Sequence, residues 1–269
     1  MPHLRPLKII TISNMKQLIQ FLSIALLATA FFTNCKNSKS PSTEATVVDS
    51  MAAYEPMVAG YWMNKAWWET LQKTKSPHEA AKHLGLAGVT VDKDSTGAWT
   101  AVVNYAFHEG MIYKLQPAEG GNFALINTDD NNSVAHEFKF NADKTVFLDS
   151  FEMVRIGDAN MDDADLSAGI VSGTYSLKGK PGDVTFSSNG SISGLEGYDR
   201  YDVLFDYIED QLQADEIMLI KPNTDGDRDF YVFEIKGNQL LLSTIDEKMQ
   251  KDSSTLYSKG KVKFELTKK

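Results

Sequence analysis

The chain has 269 residues but only one cysteine, Cys35, with eight prolines and five histidines. A single thiol excludes an intrachain disulfide, so any folded domain must be held by its core alone. Basic residues are in deficit, 27 Lys and Arg against 36 Asp and Glu, for a net charge of −9. Three of those cations, Arg5, Lys8 and Lys16, precede the one long apolar run; without them 24 bases face 36 acids. So acidic a surface repels phosphate backbones, and nucleic acid is excluded as a partner. The chain also lacks a G-x-S-x-G elbow, a Walker loop and a Rossmann glycine run. What is there, 42% hydrophobic and 10% aromatic residues, is the composition of a globular protein.

The apolar run follows Lys16 and extends from Gln17 to Phe32 without a charge. It is shorter than the ~20 apolar residues of a spanning helix and is interrupted by Gln20 and Ser23, which marks an export signal. Met15 directly before Lys16 gives a second start of ordinary signal length. The run ends at Phe32-Thr33-Asn34-Cys35, a segment that resembles a bacterial lipoprotein signal, with Asn34 and Phe32 in place of the usual small residue and Leu. The resemblance implies cleavage before Cys35, residues 1–34 removed as a signal peptide, and a diacylglycerol on the Cys35 thiol with a further acyl chain such as palmitate on the new amino group. Two or three chains at ~0.8 kcal/mol per buried methylene would anchor the protein stably to a membrane. Residues 35–50, rich in Ser, Thr and Lys, read as the lipidated cysteine and a flexible tether. Acidic residues are absent directly after Cys35, which by the same resemblance implies an outer-membrane anchor and a periplasm-facing domain.

Residues 51–269 read as one mainly β domain with two short helices near its start. Asn64 caps a predicted helix over 65–74 whose Trp67, Trp68 and Leu71 form an apolar stripe. Ser76-Pro77-His78-Glu79 is a capping box for a second helix, predicted to run from 77 to 84 and end at Gly85. Beyond residue 88 the hydrophobic period becomes two: Trp99, Ala101, Val103, Tyr105 and Phe107 line one face of a strand. Twelve more strand-like segments follow between 110 and 267, separated by turns such as Asn189-Gly190 and Gly237-Asn238. Few connections are long enough for the crossovers of a parallel sheet, so an antiparallel barrel is predicted. The acidic connection 155–168 reads as a helical turn or a lid.

Gly60-Tyr61-Trp62 looks like the G-x-W opening of lipocalin-like barrels, and the segments from Tyr231 to Leu266 look like the closing strands of the same barrels. The resemblance implies one up-and-down barrel from residue 58 to 267. Gly173-Thr174-Tyr175 reads as a second opening and leaves two barrels as the alternative. A lipocalin-like barrel implies a small apolar or amphipathic ligand inside it, with Trp62, Trp99, Tyr105, Phe107 and His136 as lining residues. The competing reading is a barrel packed solid, with the protein serving a structural or partner-binding role in the envelope through Trp67, Trp68 and neighbouring surface.

Catalytic, metal and cofactor sites are not predicted. His78 and His83 come close to H-E-x-x-H, but an i+5 spacing places them about 140° apart on a helix, so both read as solvent-facing. Ser258-Lys259-Gly260-Lys261 precedes a strand and is no nucleophile motif. Asn223, Asp225, Asp227 and Asp229 read as a solvated hairpin tip, since the sixth position of a calcium loop would be Arg228. His136 alternates with Val134, Phe138 and Phe140; without a visible partner it reads first as a hydrogen-bonded core histidine, with a ligand head-group anchor as the alternative.

Overall fold

A computed structural model describes residues 51–269 except 52, 84, 106, 108, 131, 208–211, 223–225 and 251–254. The predicted signal segment, Cys35 and the tether lie outside the described residues, as do Asn223 and Asp225. The predicted class holds: the fold is mainly β, with a closed antiparallel barrel and a few short helices. No described helix is long and apolar enough to cross a membrane.

The helix α1 (Glu55–Val58) leads into β1 (Gly60–Asn64), followed by α2 (Lys65–Thr74) and α3 (Pro77–Ala81). Then come β2 (Gly88–Lys93), β3 (Trp99–Tyr105), β4 (Glu109–Pro117), β5 (Phe123–Asn127), β6 (Ser133–Phe140), β7 (Val146–Leu148) and β8 (Phe151–Gly157). Each strand pairs with the next, and β8 returns to β1, with Trp62 opposite Arg155 and Met63 opposite Val154. This closed eight-stranded antiparallel barrel is consistent with a lipocalin-like fold. It is complete by Gly157, however, and the expectation of a single barrel running on to residue 267 is corrected.

After α4 (Asp163–Val171) the chain forms eight more strands: β9 (Gly173–Leu177), β10 (Asp183–Phe186), β11 (Ile192–Ser193), β12 (Arg200–Val203), β13 (Glu216–Ile220), β14 (Arg228–Lys236), β15 (Gln239–Met249) and β16 (Thr255–Lys268). β16 pairs with β9, not with any strand of the first barrel. The tail therefore does supply closing strands, but to a second sheet opened by Gly173. Its edge strands β11 and β12 meet through a bridge between Ser191 and Arg200 and a 2.8 Å bond from Tyr201 N–H to the Gly190 carbonyl. The sheet is thus curled round until its edges touch.

The two openings are built alike. Val58-Ala59-Gly60-Tyr61-Trp62 and Val171-Ser172-Gly173-Thr174-Tyr175 each carry the chain from a helix into a first strand. Trp62 Nε1–H donates to the Val58 carbonyl at 2.9 Å, and Tyr175 O–H to the Val171 carbonyl at 2.7 Å, each reaching four residues back. A cation from the last strand binds nearby helix-end carbonyls: Arg155 reaches Pro56 O at 3.2 Å and Lys268 reaches Ser172 O at 2.9 Å. Ser172 caps the C-terminus of α4, where unsatisfied acceptors and the partial negative charge favour a cation, and Pro56 lies in the single turn of α1. Gly60 (φ +132°) and Gly173 (φ +145°) admit the close approach of those side chains.

The helices follow from their caps. The Asn64 side chain accepts from Ala66 N–H (3.1 Å) and Trp67 N–H (3.4 Å), starting α2 where predicted. α3 stops at Ala81, short of the predicted 84, and half its box is missing: Ser76 Oγ accepts from Glu79 N–H at 3.0 Å, but Glu79 instead holds Lys82. Ser76 donates to Asp215 at 2.9 Å, tying α3 to the second sheet. The reciprocal box occurs in the acidic connection, between Asp162 and Asp165, and starts α4.

Two cores result. The first barrel packs Trp62, Val89, Val91, Trp99, Ala101, Val103, Tyr113, Leu115, Phe123, Leu125 and Phe138 inside. The second core joins the inner face of the second sheet to the outer face of β1, through Tyr61 and Met63, and to Trp67 and Leu71 of α2. β1 is buried on both faces because it serves both cores.

Candidate functional site at one end of the first barrel

Strands β3, β5 and β7 end, and β4, β6 and β8 begin, at the end of the barrel where α2 packs against β8 and β1. Here the structure brings together two predicted residues, Tyr105 and His136. The tyrosine O–H lies 2.7 Å from His136 Nε2, and Asp149 Oδ2 lies 2.7 Å from His136 Nδ1. One arrangement satisfies all three, with Nδ1–H donating to Asp149 and Nε2 accepting from the Tyr105 O–H. Tyr113 stands edge-on to the imidazole at 5.1 Å.

Asp149 was not foreseen. It occupies the two-residue turn between β7 and β8 with φ +53°, and its other oxygen accepts from Glu137 N–H at 3.0 Å. A turn Asp in the left-handed region carries only a weak sequence signal, and its reach to β6 depends on strand pairing. The Tyr105 phenol is pushed up from its ordinary value by burial first and by the hydrogen bond to Tyr113 next. Phenolate formation is therefore disfavoured, and the chain Tyr105–His136–Asp149 acts as a hydrogen-bonded clip across β3, β6 and the β7–β8 turn.

The other predicted lining residues go elsewhere. Trp62 and Trp99 are inside the barrel, but Trp62 is wedged edge-on against Phe138 (5.4 Å) and Phe140 (5.8 Å). Trp99 is buried, with Lys93 Nζ 4.9 Å from its ring centroid. Phe107 leaves the barrel altogether. β3 stops at Tyr105, and Phe107, at φ +68°, packs against Trp67 (4.9 Å) and Phe205 (5.5 Å) in the second core. Trp67 is fully buried and Trp68 packs partly buried on the same core, so the stripe seals the molecule internally instead of forming an outer surface.

Around the clip the surface is apolar and acidic. Met111, Ile112 and Val134 are 48%, 70% and 58% exposed, and Asp129 and Asp130 stand exposed on the adjoining β5–β6 turn. The Tyr113 hydroxyl lies 3.4 Å from Met111 Sδ, linking clip and rim. Beyond the Asp149 turn, Lys65, Glu69, His83, Ser150, Phe151 and Glu152 border an open cleft of about 390 Å3. His83 faces this cleft, while His78 lies 3.3 Å from Gln213, so the two imidazoles do point apart. Among the described residues no group of three His, Cys, Asp or Glu side chains converges to hold a metal. No family model matches the chain, and neither a curated protein nor a solved structure matches it.

Proposed function

We propose that this is a lipid-anchored protein of the bacterial envelope, attached through Cys35, whose two packed β units present a surface to a protein partner. The observation that carries this reading is the filling of the first barrel by Trp62, Trp99, Tyr113, Phe123 and Phe138. Ring edges meet ring faces there at 5.4 to 5.8 Å, the packing of a core, which supports a solid barrel over one that captures a ligand. The contact surface is the end carrying Met111, Ile112 and Val134. Exposed methionine and aliphatic residues around a rigid, hydrogen-bonded aromatic platform are the makings of an interface centre. With Asp129, Asp130 and Asp149 beside them, the complementary surface is apolar at its centre and basic at its rim.

Site-specific photocrosslinkers at Met111 and Val134 test this in cells, with Lys144 in the exposed β6–β7 turn at the opposite end as control. A discrete protein adduct from 111 and 134 but not from 144 is expected, and its yield should fall as salt is raised. Equal adducts from all three positions, or none, would count against this surface. The anchor is tested separately: Cys35→Ser should release an otherwise membrane-bound protein into the soluble envelope fraction.

A further inference from the structure

A second concavity, independent of that surface, opens at the far end of the second sheet. β16 begins at Thr255 but meets β9 only from Leu266 onward, so its earlier part has β15 on one side and, among the described residues, no strand on the other. The gap between this ribbon and the β9–β10 and β11–β12 turns forms a cleft of about 360 Å3, a volume within the ordinary range of small-molecule sites. Leu177, Leu195, Tyr198 and Phe264 wall it, and Lys180, Lys221 and Lys263 stand at its edge.

The chemistry of these walls is specific. Tyr198 donates its hydroxyl hydrogen to Asp229 at 2.5 Å and lies 2.7 Å from the Tyr231 hydroxyl, so its polar tip is spent inside the protein. What it offers the cleft is ring surface, in an aromatic group with Phe264 at 6.3 Å. Two of the three lysines are neutralised: Lys180 by Glu196 at 2.8 Å, and Lys221 by Asp227 at 3.3 Å and Asp229 at 3.5 Å. Lys263 makes no ion pair among the described residues, although the chain carries nine more acids than bases. One uncompensated ammonium beside an aromatic and aliphatic wall matches one anionic group attached to a flat ring.

We propose that this cleft binds a small planar aromatic carboxylate, its ring against Phe264 and Tyr198 and its carboxylate on Lys263. A charge-assisted bond from lysine to carboxylate orients the ligand, and the ring contact supplies the apolar burial. The site stands apart from the partner-binding reading and does not depend on it.

Isothermal titration of the Cys35→Ser protein with 2-naphthoate, and with the uncharged 2-naphthylmethanol, tests the assignment. Naphthoate should bind saturably and the alcohol roughly tenfold more weakly. Lys263→Gln should abolish that preference without weakening the alcohol, whereas Lys114→Gln on the first barrel should leave both isotherms unchanged. Equal affinity for acid and alcohol, an unaltered preference in Lys263→Gln, or no saturation at millimolar naphthoate would each overturn the proposal.

Discussion

The first barrel is closed by a ladder between β1 and β8, whereas the second sheet joins β16 to β9 and touches at β11 and β12 through one bridge. Yet both begin with the same device, a helix-end Val carbonyl bonded by the aromatic four residues on, and a glycine between them. The comparison separates what opening a curled sheet requires from what closing it requires. Opening needs the glycine, the aromatic and the cation from the last strand. Closing needs a matching ladder, and in the second sheet the bond from Tyr201 O–H to the Ser187 carbonyl (2.8 Å) reinforces a seam with few backbone bonds.

The glycines break the comparison most sharply. A Cβ on Gly60 would fall 2.7 Å from the Gly157 carbonyl oxygen, a backbone atom, and 2.5 Å from Arg155 Nε. On Gly173 it would meet only the far end of Lys268, at 2.6 Å. Gly60→Ala is therefore expected to cost roughly 3 to 4 kcal/mol and Gly173→Ala roughly 1 to 3, with backbone strain common to both. Urea unfolding of the two variants side by side measures the difference.

The aromatics come next. Trp62→Phe loses the bond to Val58 and leaves a void among Phe138 and Phe140, an expected cost of roughly 2 to 3 kcal/mol. Tyr175→Phe removes only a hydroxyl and orphans the Val171 carbonyl, at about 1 kcal/mol. Burial has pushed the Tyr175 phenol up to about 12, so its bond should persist through neutral and mildly alkaline pH. If the two substitutions cost the same under urea, the two devices are not energetically distinct in the way their packing implies.

Ser76→Ala probes the link between the units, since Ser76 both caps α3 and donates to Asp215. About 0.5 to 2 kcal/mol is expected from the cap alone. A double-mutant cycle with Asp215→Asn should show the two losses to be non-additive.

The smallest effect concerns Asp163, at the start of α4. Burial, then Asp202 and Asp162, hold its carboxyl above the usual range. A raised carboxyl favours the folded state while it is protonated, and that contribution is lost as pH rises through its folded value. Asp163→Asn should consequently raise the urea midpoint at neutral pH. The gain should fade as pH falls below the ordinary carboxylate range, because both proteins are then uncharged at that position.

Much of this fold is legible in the sequence because strand boundaries are local. Alternation at Trp99, Ala101 and Val103 and turn chemistry at Gly237-Asn238 mark their elements without reference to the rest of the chain. Pairing is not local. That β8 returns to β1, and not the tail, depends on where Arg155 and Gly157 fall in the barrel, and no pattern of period two encodes it. The repeated V-x-G-x-aromatic segment is the signal that there are two openings, and Gly173-Thr174-Tyr175 was half of it. The site was legible in part: Tyr105 and His136 were singled out, but Asp149 joins them only through a tight turn. Phe107 misled because the alternation continues in the sequence past Tyr105, where β3 ends.

Whether the first barrel is solid and works from its outside is read out by native mass spectrometry of the Cys35→Ser protein. The same sample is then titrated with a fluorescent fatty acid while tryptophan emission is followed. Trp62 and Trp99 lie in the first-barrel core, so a molecule entering it would quench them. A solid barrel leaves a mass equal to the chain alone and no saturable quenching at micromolar probe. Saturable quenching abolished by Trp62→Phe with Trp99→Phe, or a retained small molecule that persists in Lys263→Gln but is lost with those two tryptophans, would contradict it.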